Sequence, residues 1–312
     1  MATPDISVVI PAHNERSRLA PTIRSIARAR TSSARVEFVI IDDASTDGSV
    51  EELVAAAQSL MEEPRIDIHV ESLEERSGVF GARNRGVETA SAEILFITDA
   101  HVEFSRGWDE AILQHTRPNL ILAGTTVQKS TSYRGYGCHL VVPFMGTAWN
   151  KDVPHAAAPV EIATSTATVI TRDLFERLGG YDTGMLIYGA GEPEFSLRAW
   201  LHGAEIQLLP GLEVTHEFKT REQLGSFLGS IRHLWVHNCL RFGFLYLSEL
   251  GCLQQLRFYS RAFPEVFPDA LRMINESDVW ERRALLEERR ERSFSWFVEY
   301  FGIRDQIGSE IM

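Results

Sequence analysis

Short apolar segments alternate with amphipathic ones over the first third of the chain. Residues 6–10 read Ile-Ser-Val-Val-Ile, a run typical of a strand buried on both faces of a parallel sheet. Over residues 19–27 the apolar positions recur at helical spacing and predict a helix with one buried face. The same alternation predicts strands at 36–41, 66–70 and 94–98, and helices after Gly48 and at 78–90. The fold class is therefore α/β, with βαβ units around a mostly parallel sheet flanked by helices.

The pattern changes beyond Asn119. Strand-like runs at 119–127, 160–171 and 205–209 surround a stretch rich in glycine and aromatic residues, which predicts a mixed rather than a purely parallel second half. From Thr220 onward the sequence is mostly helical. We therefore predict an α/β domain at 1–220 and a helical C-terminal extension at 221–312. The apolar faces of these helices are expected to pack on the α/β domain or on a second copy of the chain, as a homo-oligomer.

Composition excludes some classes of partner. Of the 312 residues, 44% are hydrophobic and 24% are charged, as in ordinary globular proteins. The formal net charge of -12 disfavours nucleic acid as a partner. The three cysteines form no CxxC pair, the N-terminus lacks a basic signal-peptide region, and the apolar stretch 234–250 contains several polar residues. We expect a cytoplasmic protein with no transmembrane segment.

Polar residues follow three predicted strands at their carboxyl ends, where parallel α/β sheets bind ligands. They lie at 11–15, 42–47 and 99–101. A carboxylate there can accept a hydrogen bond from a uracil N–H or a ribose hydroxyl, but several together would repel a diphosphate unless a cation lies between them. Residues 42–48 are also typical of a capped turn into a helix.

Asp99 and His101 project to the same side of an extended segment, because they are two positions apart. A mixed oxygen and nitrogen ligand set favours manganese or another first-row divalent metal over magnesium. His216 follows another apolar segment and is a candidate third ligand, although a lone histidine there is more often packed or hydrogen-bonded. The residues by themselves leave both interpretations open.

Two further segments carry candidate chemistry. Arg83 lies on the helix before the Asp99 strand and would neutralise a phosphate or fix a carboxylate, or else occupy a solvated helix face. The glycine-rich residues 189–191 allow close backbone approach to a ligand, and Glu192 is a candidate general base or acceptor-binding carboxylate. Glu192 and Glu194 are equally typical of helix N-terminal residues that stabilise the helix dipole.

Together these segments resemble family 2 glycosyltransferases of the GT-A fold, a Rossmann-like α/β fold. The likeness rests on residues 6–15, 42–48, 99–101 and 189–194, which occur in that family's order. The middle of the chain is similar to polypeptide N-acetylgalactosaminyltransferases: Arg83-Asn-Arg-Gly86 precedes Asp99-Ala-His101-Val-Glu103, and residues 181–200 and 214–218 resemble that group's later motifs.

The resemblance implies a UDP-sugar donor and a set of site residues. Asp99, His101 and His216 would be the manganese ligands, and Glu192 and Glu194 the catalytic residues. The nucleotide-sugar would be bound by Pro11, Ala12, Asn14, Glu15, Asp42, Asp43, Arg83, Asp99 and Ala100.

One departure limits what is carried over. Polypeptide N-acetylgalactosaminyltransferases have Trp-Gly-Gly-Glu-Asn where this chain has Tyr188-Gly-Ala-Gly-Glu192. Their glutamate is thus replaced by Gly191, and a glutamate follows one position later, where inverting family 2 enzymes have their base. The stereochemical outcome and the peptide specificity stay open.

We therefore predict a metal-dependent glycosyltransferase that moves a hexose or N-acetylhexosamine from a UDP-sugar to a hydroxyl or thiol of a glycan, peptide or small molecule. Acceptor recognition is expected from Tyr133, Tyr136 and Trp149, because aromatic faces suit sugar rings. It is equally consistent with the sequence that this segment is a folded-over lid whose aromatic residues form its own core. One alternative is a nucleotidyltransferase, which would be expected to have a glycine-rich phosphate loop where this chain has residues 11–15. The other is a sugar-nucleotide-binding or scaffolding protein without turnover. The sequence identifies neither the sugar nor the acceptor.

Overall fold

The computed structural model describes residues 3–53, 65–152 and 157–304. The strands are β1 (Ile6–Ala12), β2 (Val36–Asp42), β3 (Ile66–Ser72), β4 (Ile94–Ile97), β5 (Val102–Phe104), β6 (Leu120–Gln128), β7 (Arg134–Gly135), β8 (Cys138–Val141), β9 (Gly146–Trp149), β10 (Thr168–Thr171) and β11 (Glu205–His216). The helices are α1 (Leu19–Arg28), α2 (Gly78–Thr89), α3 (Trp108–His115), α4 (Arg172–Leu178), α5 (Gly191–Leu201), α6 (Arg221–Ser230), α7 (Arg232–Tyr246), α8 (Glu249–Ala262), α9 (Phe267–Asn275), α10 (Val279–Arg289) and α11 (Phe294–Phe301), and residues 49–53 are also helical.

Within these described ranges, nine strands form one mixed sheet in the order β3-β2-β1-β4-β10-β6-β11-β5, with β7 paired to β6. The first four strands in this order, β3, β2, β1 and β4, run parallel to one another. Every residue of β1 and β2 is buried, as their continuous apolar runs predict. Strand β10 then joins antiparallel to β4 and β6. The predicted α/β class and the mixed second half are confirmed. Val54 and Ala57, predicted to face inward, lie outside the described residues.

Two predicted strands differ from the structure. Only Thr168–Thr171 of the run at 160–171 is a strand, because the backbone of residues 160–162 bonds two different strands: Val160 N donates to Ile206 of β11 at 3.0 Å, and Ile162 N donates to Cys138 of β8 at 3.2 Å. The hydroxyls of Thr164 and Thr166 bond each other and Thr126. Conversely, β11 continues to His216, past the predicted end at 209. The register of β11 against β6 shifts between Leu209 and Glu213, at Pro210-Gly211, and the strand continues beyond this irregularity.

The C-terminal helices pack directly against the α/β part. Phe80 on α2 and Phe195 on α5 belong to the same apolar cluster as Leu240 and Phe242 on α7. The division of the chain near residue 220 remains a prediction, since this cluster extends across it. No helix in the described portion of the chain combines the length and apolar character needed to span a bilayer.

A buried ion pair adds a polar link between the two parts. Arg241 on α7 donates from Nε to the Asp182 carboxylate at 2.8 Å, and both side chains are fully buried. Burial raises the pKa of Asp182, but the bond from Arg241 and the charge of Arg282 lower it below its usual value. Separating the two residues would leave an uncompensated buried charge. The pair therefore favours this particular packing of α7 against the α/β part.

Candidate functional site

Asp99 lies just beyond β4, at the carboxyl end of the parallel strands. Its carboxylate accepts hydrogen bonds from Ser165 Oγ and Arg83 Nη2, both at 3.0 Å, and lies 3.5 Å from His216 Nε2. Burial opposes ionisation, but the contact with His216 and the charge of Arg83 hold the pKa of Asp99 well below its usual range. The group is therefore a carboxylate across the physiological pH range.

His101 and His216 come together because β5 and β11 are neighbours in the sheet. His216 pairs with Val102, the residue after His101, and the two imidazole centroids are 4.7 Å apart. His101 Nδ1 lies 3.1 Å from Glu15 Oε2. Burial lowers the pKa of His101, but the bond and charge of Glu15 raise it above its usual value, and nearby Lys219 opposes that increase.

The donor chemistry of this cluster fits a first-row metal ion. One carboxylate and two imidazoles converge, and His216 Nδ1 is buried with no hydrogen-bond partner. Mixed nitrogen and oxygen sets of this kind suit manganese. Across the described ranges, however, no three His, Cys, Asp or Glu side chains already have the spacing of an assembled metal centre. The three predicted ligands are thus neighbours that contact one another.

Arg83 connects the cluster to the predicted base. The fully buried guanidinium donates to Asp99 at 3.0 Å and to Glu192 Oε1 at 2.7 Å. Helix α2 lies close to β1 because Gly86 has no side chain, and a Cβ there would be 2.4 Å from Val9 Cγ1. This packing places Arg83 over the strand ends, where its single guanidinium binds the carboxylates of both Asp99 and Glu192.

A steric contact explains why the glutamate of this segment lies at position 192 and not at position 191. A Cβ on Gly191 would lie 2.3 Å from the Phe80 ring, so no side chain fits at 191. Ala190 takes the left-handed conformation with φ of 63°, and α5 begins at the next residue. Glu192 therefore projects from the first turn of α5 toward Arg83, where the helix dipole also favours its negative charge.

Glu194 does not join this cluster. Its carboxylate is completely buried, accepts two bonds from Arg198 at 2.8 and 2.7 Å, and accepts a third from Tyr246 Oη at 2.7 Å. All of these partners lie in the core between α5 and α7. Both carboxylate oxygens of Glu194 thus already accept hydrogen bonds from buried side chains of the protein. This placement argues against a catalytic role for Glu194.

The residues predicted to bind the nucleotide line the ends of β1 and β2, with several engaged locally. Asp43 accepts from Ser77 and Gly78 backbone N–H groups at 2.6 and 2.9 Å and thereby caps α2. Asp42 accepts from Ser45 N at 3.1 Å. The remaining predicted residues at these ends are placed as follows: Pro11, Ala12 and Ala100 are buried, Asn14 Oδ1 accepts from Thr46 N, and Glu15 contacts His101.

Two aromatic rings, those of Phe218 and Trp149, continue outward from His216. Phe218 lies 4.2 Å from the His216 ring and 6.1 Å from Trp149, between ring centroids. Tyr136, predicted to recognise an acceptor, is instead buried, while Trp149 is only partly buried. Phe218 was not predicted from the sequence, where only its position two residues after His216 could have pointed to it.

Other side chains near the cluster were also missed. Ser165 bonds Asp99, and the exposed ring of Tyr188 lies in the loop before Glu192. Lys219 lies three residues after His216, which is the one sequence signal that could have found it. These residues come from loops whose positions no local periodicity encodes.

Comparison with known proteins gives the family. The model of "Glycosyl transferase family 2" matches residues 7–176, more than half of the chain. The chain belongs to glycosyl transferase family 2. This family 2 chain is 26% identical over 313 residues to polypeptide N-acetylgalactosaminyltransferase 4 of Caenorhabditis elegans, covering 94% of the chain and 50% of the relative. It is 25% identical over 315 residues to polypeptide N-acetylgalactosaminyltransferase 13 of Homo sapiens, covering 95% and 54%.

Solved structures confirm the GT-A-like fold of this family 2 member. GalNAc-T7 with UDP, GalNAc and Mn2+ superposes with a TM-score of 0.77 at 22% identity, over 96% of this chain and 57% of that one. A mannosyltransferase from Pyrobaculum calidifontis in complex with GDP-Man and Mn2+ gives 0.54 at 18% identity, over 92% and 86%. The chain spans about half the length of the curated relatives it matches.

Proposed function

We propose that this chain is a divalent-metal-dependent glycosyltransferase that moves a sugar from a UDP-sugar to an acceptor hydroxyl or thiol. The observation that carries the proposal is the single cluster of Asp99, His101 and His216, joined by Arg83 to Glu192 at the carboxyl ends of the strands. Two structural neighbours, one with UDP, GalNAc and Mn2+ and one with GDP-Man and Mn2+, support the same combination of ligands.

Asp99, His101 and His216 would hold the metal. When bound, a divalent ion would act as a Lewis acid toward the diphosphate and neutralise its charge. Glu15 then has a role other than uridine binding: its carboxylate fixes the ring orientation of His101 through Nδ1 and leaves Nε2 for a ligand. Ser165 orients Asp99 in the same way.

The nucleotide is proposed to lie over the ends of β1 and β2. Pro11, Ala12 and Asn14 would contact it mainly through the backbone, since two of the three are buried and the Asn14 side chain already bonds Thr46 and His13. Asp42, whose Oδ1 bonds only a neighbouring backbone N–H, is the better candidate for uracil or ribose recognition than Asp43, which caps α2.

Glu192 is proposed to meet the acceptor. If the sugar is transferred with inversion, its carboxylate takes the proton of the acceptor hydroxyl while the acceptor oxygen forms a bond to the anomeric carbon, the bond between sugar and diphosphate breaks, and UDP leaves with the electron pair. If the configuration is retained, Glu192 positions the acceptor. Arg83 orients Glu192 in either case. Glu194 is assigned a structural role in place of the predicted catalytic one.

Lys219 is proposed to contact the diphosphate. The neighbouring cations Arg18 and Lys129 both pair with Glu217, whereas Lys219 has no carboxylate partner in the part of the chain that the structure describes. Its Nζ rests 5.5 Å from the Phe227 ring, and its charge acts on His101. A cation that no local acid neutralises is free to bind a phosphate.

We expect Lys219→Met to weaken UDP binding about tenfold, because one charge-assisted phosphate contact is lost. The affinity for uridine, which has no phosphate, should stay the same. Lys129→Met is the matched control, since that lysine already pairs with Glu103 and Glu217. Calorimetric titration with UDP and with uridine makes the comparison. Equal weakening for both ligands would contradict a phosphate contact.

The test of the proposed function is release of UDP from a panel of UDP-sugars, with and without manganese and with peptide, glycan and small-alcohol acceptors. UDP-N-acetylgalactosamine is the first donor to try, given the names of the relatives. Manganese-dependent release from one donor supports the proposal and identifies the sugar. UDP binding without release from any combination would overturn it in favour of a sugar-nucleotide-binding protein.

A further inference from the structure

The loop at 186–190, directly before α5, has a strained backbone. Ile187 has a φ of 53° and Ala190 a φ of 63°, both in the left-handed region that non-glycine residues rarely adopt. For a β-branched residue such as Ile187 this conformation is a genuine outlier. Strain of this kind persists only where the surroundings enforce it, so the contacts of this loop identify what fixes it.

One side chain of the C-terminal helices makes most of these contacts. Asn238 on α7 is fully buried, and its Oδ1 accepts from Leu186 N at 2.8 Å. Its Nδ2 donates to the carbonyl oxygens of Leu186 at 2.8 Å, Tyr188 at 3.1 Å and Gly189 at 3.0 Å. A single amide thus contacts four backbone groups of one loop, with its two N–H donors shared among three carbonyl oxygens, which neither an apolar side chain nor a carboxylate could do.

Packing supports the same arrangement from both sides. A Cβ on Gly189 would lie 2.5 Å from Trp235 Cδ1, so α7 also touches the loop through its indole ring. From the other side, Val79 N donates to the carbonyl oxygen of Ile187 at 3.0 Å, and Gly78 leaves room for that backbone. The loop is held between α2 and α7.

The loop in turn places Glu192, the group assigned to the acceptor. It presents the exposed ring of Tyr188, and it ends where α5 begins. Glu192, in the first turn of that helix, then bonds Arg83 at 2.7 Å. A loop relaxed from its strained form would move this carboxylate relative to Asp99.

We infer that Asn238 is a positioning residue for the transfer reaction: through the loop at 186–190 it fixes Tyr188 and Glu192 over the donor site. This inference rests on the proposed function. It makes α7 part of the active site through the loop that Asn238 holds. The proposed nucleotide-binding part of the site lies at the ends of β1 and β2. It is built from elements that Asn238 does not hold, so nucleotide affinity is expected not to depend on Asn238.

The test compares Asn238→Leu with Gln255→Leu. Gln255 on α8 is an equally buried amide in the same helical region, but its Nε2 bonds the carbonyl oxygen of Cys239 and it makes no hydrogen bond to the loop. Both variants lose a buried amide and should lower the melting temperature, Asn238→Leu more than Gln255→Leu because Asn238 bonds four backbone groups and Gln255 bonds one. Only Asn238→Leu should lower kcat, by about tenfold to 100-fold as expected for a misplaced reacting group, with the affinity for UDP unchanged.

Hydrogen exchange gives a readout that does not depend on activity. The Leu186 amide donates to Asn238, so peptides covering 183–192 should exchange faster in Asn238→Leu and remain protected in Gln255→Leu. Asn238→Ser, a smaller change, serves if the leucine variant does not fold. Unchanged exchange and kcat in the asparagine variants, or equal kcat loss in Gln255→Leu, would overturn the inference. A wild-type protein without turnover but with faster exchange in Asn238→Leu would count against the proposed function alone.

Discussion

Replacing His101 by alanine should reduce manganese-dependent release of UDP about 100-fold or more. The side chain is one of three donors that converge at the strand ends, and its ring is already oriented by Glu15. A bound metal ion contributes several kcal/mol to reactions of this class, and about 3 kcal/mol corresponds to 100-fold in rate. Steady-state UDP release at saturating donor, with manganese titrated, measures the effect.

The control for this substitution is His115→Ala. His115 is an exposed histidine at the end of α3 that bonds only the carbonyl oxygen of Ala111. Manganese binding, followed calorimetrically or by electron paramagnetic resonance, should weaken in His101→Ala and not in His115→Ala. If His101→Ala binds manganese as tightly as the wild type and keeps its turnover, the cluster is not the metal site.

Replacing Glu192 by glutamine should lower kcat by about 10² to 10⁴-fold if this carboxylate is the general base. Glutamine keeps an acceptor for Arg83 but cannot take a proton from the acceptor substrate. The binding of UDP should stay within twofold, because Glu192 is not among the residues proposed to hold the nucleotide. Initial rates over a matrix of donor and acceptor concentrations separate kcat from the two KM values.

The configuration of the product decides how that result is interpreted. An inverted anomeric centre, determined by NMR of the product, together with the kcat loss, supports the base role. A retained centre with a raised acceptor KM assigns Glu192 to acceptor positioning. Glu176→Gln, on the exposed face of α4, should leave all constants unchanged. A loss below threefold in Glu192→Gln, with no change in KM, would contradict both roles.

Much of the sheet could be predicted because buried parallel strands are encoded locally. β1 and β2 are continuous apolar runs, and their burial on both faces follows from that alone. The run at 160–171 is not one strand because the backbone of Val160 and Ile162 bonds two different strands, β11 and β8, and hydrophobicity does not report such a change of partner. The length of β11 was missed because Pro210-Gly211 is typical of a turn, whereas here it is an irregularity within the strand.

The site could be predicted only where its members lie in recognisable segments. Asp99, His101 and Glu192 are candidates from such segments, and the structure brings them together through Arg83 and His216. The roles of Glu15 and Glu194 depend on partners far away in the chain, namely His101 for the first and Tyr246 for the second. Neither contact leaves a periodic or spacing signal, so their environments became evident only from the folded chain.

The contact between Gly191 and the Phe80 ring makes these two positions interdependent as the sequence changes. A glutamate at 191, where the polypeptide N-acetylgalactosaminyltransferases have theirs, would place its Cβ 2.3 Å from that ring. A side chain at 191 therefore requires the Phe80 ring to move or to be replaced by a smaller residue. Mutant libraries that aim to exchange one placement of the glutamate for the other need to vary both positions together.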